Sequence, residues 1–234
     1  EDVTLSLRPG EILGITGLLG SGRTELALSL FGALPADRGE IRLEGQPVTL
    51  DGIRSAIAHG IGYVPEDRLT EGLFLERSIG SNITISEIDS FASKLGVFDK
   101  AAAKAAAEAW VKDLRIATPD PENAVNTLSG GNQQRIVLAK WLATNPKVLI
   151  LNGPTVGVDI GSKHDIHRIL RELAAEGLAV IIISDDIPEV IQNCNRVMVM
   201  NAGRIVAEVD PAVTGDAELA ELMSKDIVDL NGKG

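Results

Sequence analysis

The chain of 234 residues holds a single cysteine, Cys194. One thiol allows no internal disulfide and no cysteine-built zinc cage, and it suits a reducing compartment such as the cytoplasm. Cys194 itself reads as a small buried hydrophobe. Long apolar runs are missing as well. The longest, Leu178 to Ile183, falls far short of the roughly 18 to 20 residues that cross a bilayer, so no direct membrane insertion is expected. Positive charge is in deficit: the formal net charge is -11, whereas a surface that grips nucleic acid draws its affinity from Lys and Arg neutralising phosphate. Nucleic acid is therefore not an expected partner, while a local basic pocket stays open. Aromatic residues make up 3%, and none precedes Phe31. No charged-then-apolar leader opens the chain, which passes from Glu1-Asp2 straight into a strand-like stretch; the expectation is a domain cut from a longer polypeptide whose beginning is missing.

Apolar residues, at 44%, suffice for one substantial core, hence a single domain with a subdomain. In "VTLSLRPGEILGIT" the alternation of Val3, Leu5 and Leu7 predicts a strand, a Pro9-Gly10 turn and a second strand to Thr16. "RTELALSLFG" has helical spacing and a C-cap at Gly32. "GEIRLEGQPVTL" predicts a hairpin around Glu44-Gly45, and "IGYVP" a short strand closed by Pro65. The first part is thus expected to be β-rich, with an N-terminal antiparallel subdomain.

From about Asp67 to Ala143 the character turns helical, through "DKAAAKAAAEAWVKDL" and "GGNQQRIVLAKWLA". This predicts a helical subdomain inserted into an α/β core. Beyond it, "KVLIL", "LAVIIIS" and "RVMVM" are short continuous apolar runs separated by helical patterns at "SKHDIHRILRELAAEG" and "DIPEVIQNC". Such strands are buried on both faces and belong to a parallel sheet. After Asp210 a helix, "DAELAELM", precedes a polar end expected to fray.

"GLLGSGRT" places Gly17, Leu18, Leu19, Gly20, Ser21, Gly22, Arg23 and Thr24 in the spacing of a P-loop, between a predicted strand and a predicted helix. Glycines there let backbone N-H groups curl around phosphate oxygens, and the helix adds the positive end of its dipole. Thr24 would offer its hydroxyl to magnesium. The plain alternative is a glycine-rich turn. Arg23 stands in the lysine slot; it keeps the charge but is a longer planar fork, so its geometry toward phosphates differs.

In "TLSGGNQQR", Thr127 to Arg135, Ser129 presents a hydroxyl and Gly130-Gly131 bare amides at a helix N-terminus, a ready anion site; alternatively the stretch is a serine cap and a turn. With "GLLGSGRT", "YVPEDR", "VLILNGPTVGVD" and "IIISDD" in matching order over nearly the whole chain, the sequence resembles the ATPases of ABC transporters. The resemblance implies a P-loop NTPase α/β fold, ATP and Mg2+ as ligands, and a nucleotide pocket completed by the Ser129-Gly130-Gly131 stretch of a facing domain. It makes the segment at Glu66 the loop that touches magnesium, alongside Thr24, and the permease, and Asp159 a contact across the domain interface. "YVPEDRLTEGLF" and "LSGGNQQ" are more narrowly similar to the second nucleotide-binding domain of tandem ATPases that energise bacterial monosaccharide importers. That implies a head-to-tail partner domain, transmembrane permease subunits, and a peripheral place on the cytoplasmic face of the inner membrane. No aromatic before Phe31 is available to stack on adenine.

This chain departs from the family pattern where its chemistry sits. In that family the strand corresponding to "VLIL" ends in Asp-Glu, the first acid orienting magnesium through water and the second positioning the attacking water. Here Asn152 keeps an acceptor without charge, and Gly153 supplies nothing that takes a proton. An Asn-Gly hairpin is the ordinary alternative, but Pro154 lacks the N-H a return strand needs. At "IIISDD" the family's histidine, a γ-phosphate contact, is replaced by Asp185. Removing a general base alone lowers a rate by roughly 10² to 10⁴, so the chain's own P-loop is expected to hydrolyse poorly while its signature serves the neighbouring site. Two rivals remain: a self-sufficient homodimeric ATPase with Glu66 or Asp185 as base, and a scaffold that binds no nucleotide. His164 and His167, three apart, read as solvent-exposed, and Trp110 and Trp141 as packing residues.

Overall fold

The computed structural model describes residues 3–93 and 96–224. The chain divides into two compact units, one formed by Glu1–Tyr63, Lys147–Pro154 and Leu170–Gly234, the other by Val64–Pro146 and Thr155–Ile169.

The first unit is built on a six-stranded sheet. Its strands are β1 (Ile12–Thr16), β4 (Ile61–Val64), β5 (Val148–Asn152), β6 (Ala179–Ile183), β7 (Arg196–Asn201) and β8 (Arg204–Val209), in the spatial order β4-β5-β6-β1-β7-β8. β1 runs parallel to β6 and β7, and β5 parallel to β6. The apolar runs predicted to be buried on both faces are so: Leu13, Ile15, Leu149, Ile150, Leu151 and Ile182 are all fully buried. Register aligns the strand ends. Asn152 pairs with Ile183, and Ile183 with Ile15, so the carboxyl ends of β5, β6 and β1 stand at one level. In an open parallel sheet that edge, where connections leave to opposite sides, is where ligands bind.

One expectation for this unit needs correction. Val3 to Leu7 alternate in exposure as a strand would but form no strand. The carbonyl of Ser6 is taken by the side chain of Arg196, at 2.6 Å, and not by a neighbouring chain. The antiparallel portion is accordingly small: one hairpin of β2 (Ile41–Leu43) and β3 (Gln46–Val48) around Glu44-Gly45, where Glu44 takes φ 52°. A second hairpin, not expected from the sequence, has β8 returning antiparallel on β7 through Ala202-Gly203. Helix α1 (Arg23–Leu30) ends as expected, with the amide of Gly32 closing on Ser29 at 3.0 Å. α2 (Ile53–Ala58), unforeseen, and α7 (Ile187–Asn193) and α8 (Asp216–Ser224) complete the unit's own helices. The polar end expected to fray lies outside the described residues. Cys194 is buried, and burial pushes its thiol upward, as befits an inert packing residue.

The second unit packs α3 (Ile79–Thr84), α4 (Lys100–Asp113) and α5 (Gly130–Leu142) around the fully buried Ile79, Ile83, Ile136 and Leu138. α4 is capped by Asp99, whose carboxylate accepts from the amide of Ala102 at 2.9 Å, and it turns its small buried residues Ala103 and Ala107 inward. α6 (Ile160–Ala175) begins in this unit and ends in the first. His164 is exposed as read, whereas His167 is buried: one position from Ile166 on an amphipathic helix, it falls on the apolar side. Trp141 is buried and Trp110 half-buried.

Candidate functional site

In the first unit, β1 delivers the chain into Gly17–Gly22 and α1 carries it away. Gly17 has no room for a side chain, since a Cβ there would meet the carbonyl of Met200 and lie 2.6 Å from Ser21 Oγ. Gly22 takes φ 95° at the N-cap of α1, a conformation L-residues avoid, and no side chain caps the helix. Its first amides are thus left to the loop, at the positive end of the dipole. Leu18 and Leu19 are exposed. Ser21 is 4% exposed, and its hydroxyl has no hydrogen-bond partner among the described residues.

Arg23 turns inward. Its guanidinium, with 9% of the side chain exposed, donates through Nη1 to the carbonyl of Gly17 and through Nη2 to Asp185 Oδ2 at 3.0 Å. Asp185 lies two residues beyond the end of β6, past Ser184, and 63% of its side chain is exposed. The next acid serves the helix that follows. Asp186 caps α7 by accepting from the amide of Glu189, while Ser184 Oγ accepts from the amide of Asp186 at 3.1 Å.

At the end of β5, Asn152 is buried, and its amide nitrogen lies 3.5 Å from Thr24 Oγ1 and 3.5 Å from the hydroxyl of Tyr63. Tyr63 stacks on Phe31 with ring centroids 5.1 Å apart. Gly153 and Pro154 lead into a turn, and β5 is followed in the sheet by parallel β6, so the Asn-Gly pair makes no hairpin. These groups suit a phosphate: uncapped amides, an unpartnered buried hydroxyl and a cation. They suit magnesium poorly. Thr24 offers a neutral oxygen faced by a neutral amide, and no cluster of three or more His, Cys, Asp or Glu able to hold a metal occurs among the described residues.

The second unit holds the other predicted group. Ser129 stands at the N-cap of α5, yet its hydroxyl caps no amide of that helix and accepts instead from Asn132 Nδ2 at 3.0 Å. Gly131 is buried where a Cβ would strike Ser162, whose own Cβ lies 2.6 Å away. Asp159 caps α6 by accepting from the amide of Ser162 at 3.0 Å, and that bond holds its carboxyl below the usual range. Arg68, to which no role was assigned from the sequence, donates to the carbonyls of Val156 at 2.7 Å and Gly157 at 3.2 Å, and its Nη2 stands 2.8 Å from where a Cβ on Gly130 would be. One guanidinium thus joins the loop after β5 to the start of α5. Glu66 is exposed, just before Asp67, which caps the wide turn Arg68–Gly72 by accepting from Leu69 and Thr70. Tyr63, Arg68 and Ser162 are the residues that sequence reasoning missed. Only Tyr63, the single tyrosine, near the end of a strand and at the head of "YVPEDR", carried a signal that could have found it.

Known proteins share this sequence and fold. The chain is 47% identical over 212 residues to a putative ribose/galactose/methyl galactoside import ATP-binding protein of Rhizobium etli, covering 91% of this chain and 40% of that protein. It is 46% identical to the ribose import ATP-binding protein RbsA of Clostridium perfringens, over 90% of this chain and 42% of that one. The chain therefore spans about two fifths of the length of these relatives. Among solved structures it is similar to a nucleotide-free ATP-binding cassette from an ABC transporter, with TM-score 0.79 at 25% identity over 97% of this chain and 90% of that one. A cassette in its ADP conformation follows at TM-score 0.77 and 25% identity, covering 97% and 89%. Residues 1–156 match the ABC transporter family model, and this chain belongs to the ABC transporter family.

Proposed function

We propose that this chain is the second nucleotide-binding domain of a tandem ATPase that powers bacterial sugar import, with an inefficient P-loop site of its own and an intact signature face that completes the ATP site of its partner domain. Gly17 to Thr24 would cradle the phosphates of ATP. Ser129, Gly130 and Gly131 would close over ATP on the other domain, head to tail, with Asp159 at the same junction. Thr24 would offer magnesium only a neutral hydroxyl, with no acid at the end of β5 to hold the ion. Permease subunits would take up the motion, at the cytoplasmic face of the inner membrane. The relatives named for ribose and galactose import support the sugar class, and a share of 40 to 42% of their length is what one of two similar halves would occupy.

One observation carries the division of labour. The residue 3.5 Å from Thr24 at the end of β5 is an amide, and the one after it has no side chain, so nothing there activates water or steadies a cation. Asp185, a substitute base in the homodimeric reading, is engaged with Arg23. Two measurements test the proposal. ATP turnover by the chain alone is expected to stay near background, and brisk turnover that survives removal of contaminating enzymes defeats it. Ser129→Ala in the full-length transporter is expected to lower sugar uptake about tenfold or more, and unchanged uptake rejects the signature role.

A further inference from the structure

We propose that Asp185 sets which nucleotide the Gly17–Thr24 loop accepts, turning it toward nucleoside diphosphates and away from triphosphates by neutralising Arg23 from within. The inference rests on the reading of that loop as a phosphate cradle. Arg23 is the cation that loop carries, and both ends of its guanidinium are already engaged: Nη1 with the Gly17 carbonyl, Nη2 with Asp185. Swinging out to a ligand would leave the buried Gly17 carbonyl without its donor, a costly exchange. Asp185 meanwhile has no other hydrogen-bond partner among the described residues, because the cap of α7 is supplied by Asp186. Its carboxylate stands half out in solvent at the edge where β6 and β1 end.

A polyphosphate therefore meets amides, the unpartnered Ser21 hydroxyl, and an arginine whose charge a fixed anion has claimed. Every further phosphate adds negative charge that must lie near Asp185 or displace it, and like charges brought together repel. The shorter chain is favoured for that reason.

Calorimetric titration of the chain with ADP and with ATP at one ionic strength, beside Asp185→Asn, decides the matter. The substitution removes the charge, keeps the shape and touches an exposed side chain, so the fold should persist, as circular dichroism would verify. The wild type is expected to bind ADP at least about tenfold more tightly than ATP, and Asp185→Asn to tighten ATP about tenfold or more while moving ADP less than about threefold. Equal affinity for both nucleotides in the wild type, or a preference that survives in Asp185→Asn, overturns the inference and leaves the cradle reading standing. Absence of binding by either protein overturns both.

Discussion

Arg23 and Asp185, 162 positions apart in sequence, meet at 3.0 Å between the first turn of α1 and the end of β6. Each departs from the ATPase pattern that the chain resembles, arginine for lysine and aspartate for histidine, and each satisfies the other. Two changes that look like independent losses in the sequence form one ion pair in the fold. The loop's arginine thus has an internal counter-charge in this fold.

The pair is unequal in its two roles. Arg23 is buried and holds the carbonyl of Gly17, whereas Asp185 is exposed. Arg23→Ala should therefore destabilise the chain by about 1–3 kcal/mol, the cost of leaving a buried acceptor unmade. Asp185→Asn should cost less than about 1 kcal/mol, as for most exposed ion pairs. Urea unfolding of the two variants checks this, and equal losses would mean that the ion pair, and not the loop carbonyl, is what Arg23 secures.

On the proposed reading, placing acids at the end of β5 should speed the chemistry. Asn152→Asp puts a carboxylate beside Thr24, and Gly153→Glu supplies a base, at a position where φ is 57° and a side chain costs about 1 kcal/mol. Together they are expected to raise ATP turnover about 100-fold at saturating ATP, with either change alone doing little. Phosphate release assays decide it; a double variant as slow as the parent would place the defect elsewhere.

How far the sequence foretold this depended on the range of the interaction. Strands such as "VLIL" and "AVIII" declared themselves because burial on both faces writes an unbroken apolar run, and the P-loop because its spacing is local. The hairpin at Glu44-Gly45 was legible from its turn residues. β8 was not: it is a half-exposed edge strand with Arg204 and Glu208 among its apolar residues, so neither alternation nor a run marks it. Val3 to Leu7 failed the other way, showing strand alternation without a partner to pair with. Side-chain contacts over long separations left no trace. Arg68 reaches carbonyls 88 and 89 positions away, and nothing local in "PEDR" announces it.

Gly131 offers a test of the signature segment's packing. It is buried in the first turn of α5, against Ser162 in the first turn of α6, with no space for a methyl group. Gly131→Ala should cost about 1–3 kcal/mol through overpacking, despite alanine's better helix propensity. Adding Ser162→Gly should return much of that loss, a coupling that thermal unfolding in a double-mutant cycle measures. Additive losses would show that the two helix starts do not press on each other.

Lys140 makes stability depend on pH in a definite direction. It lies buried in α5, donates to the carbonyl of Gly72 at 2.5 Å, and sits 5.3 Å from the centre of the Trp141 ring. Burial lowers its amine from 10.5 to about 8. Below pH 8 the amine is charged in the folded and the unfolded chain alike, and the cost of burying the charge is borne in full. Between about 8 and 10.5 the unfolded chain holds a proton that the folded one has released, so this residue's contribution to stability rises with pH. The rise amounts to about 3 kcal/mol across the window. Lys140→Met removes the titration, so the stability of the wild type relative to the variant should climb by that order between about pH 7.5 and 10.5, read by urea unfolding at each pH. A difference that is flat, or that falls as pH rises, would mean the Gly72 carbonyl and the Trp141 ring hold the ammonium charged inside the fold.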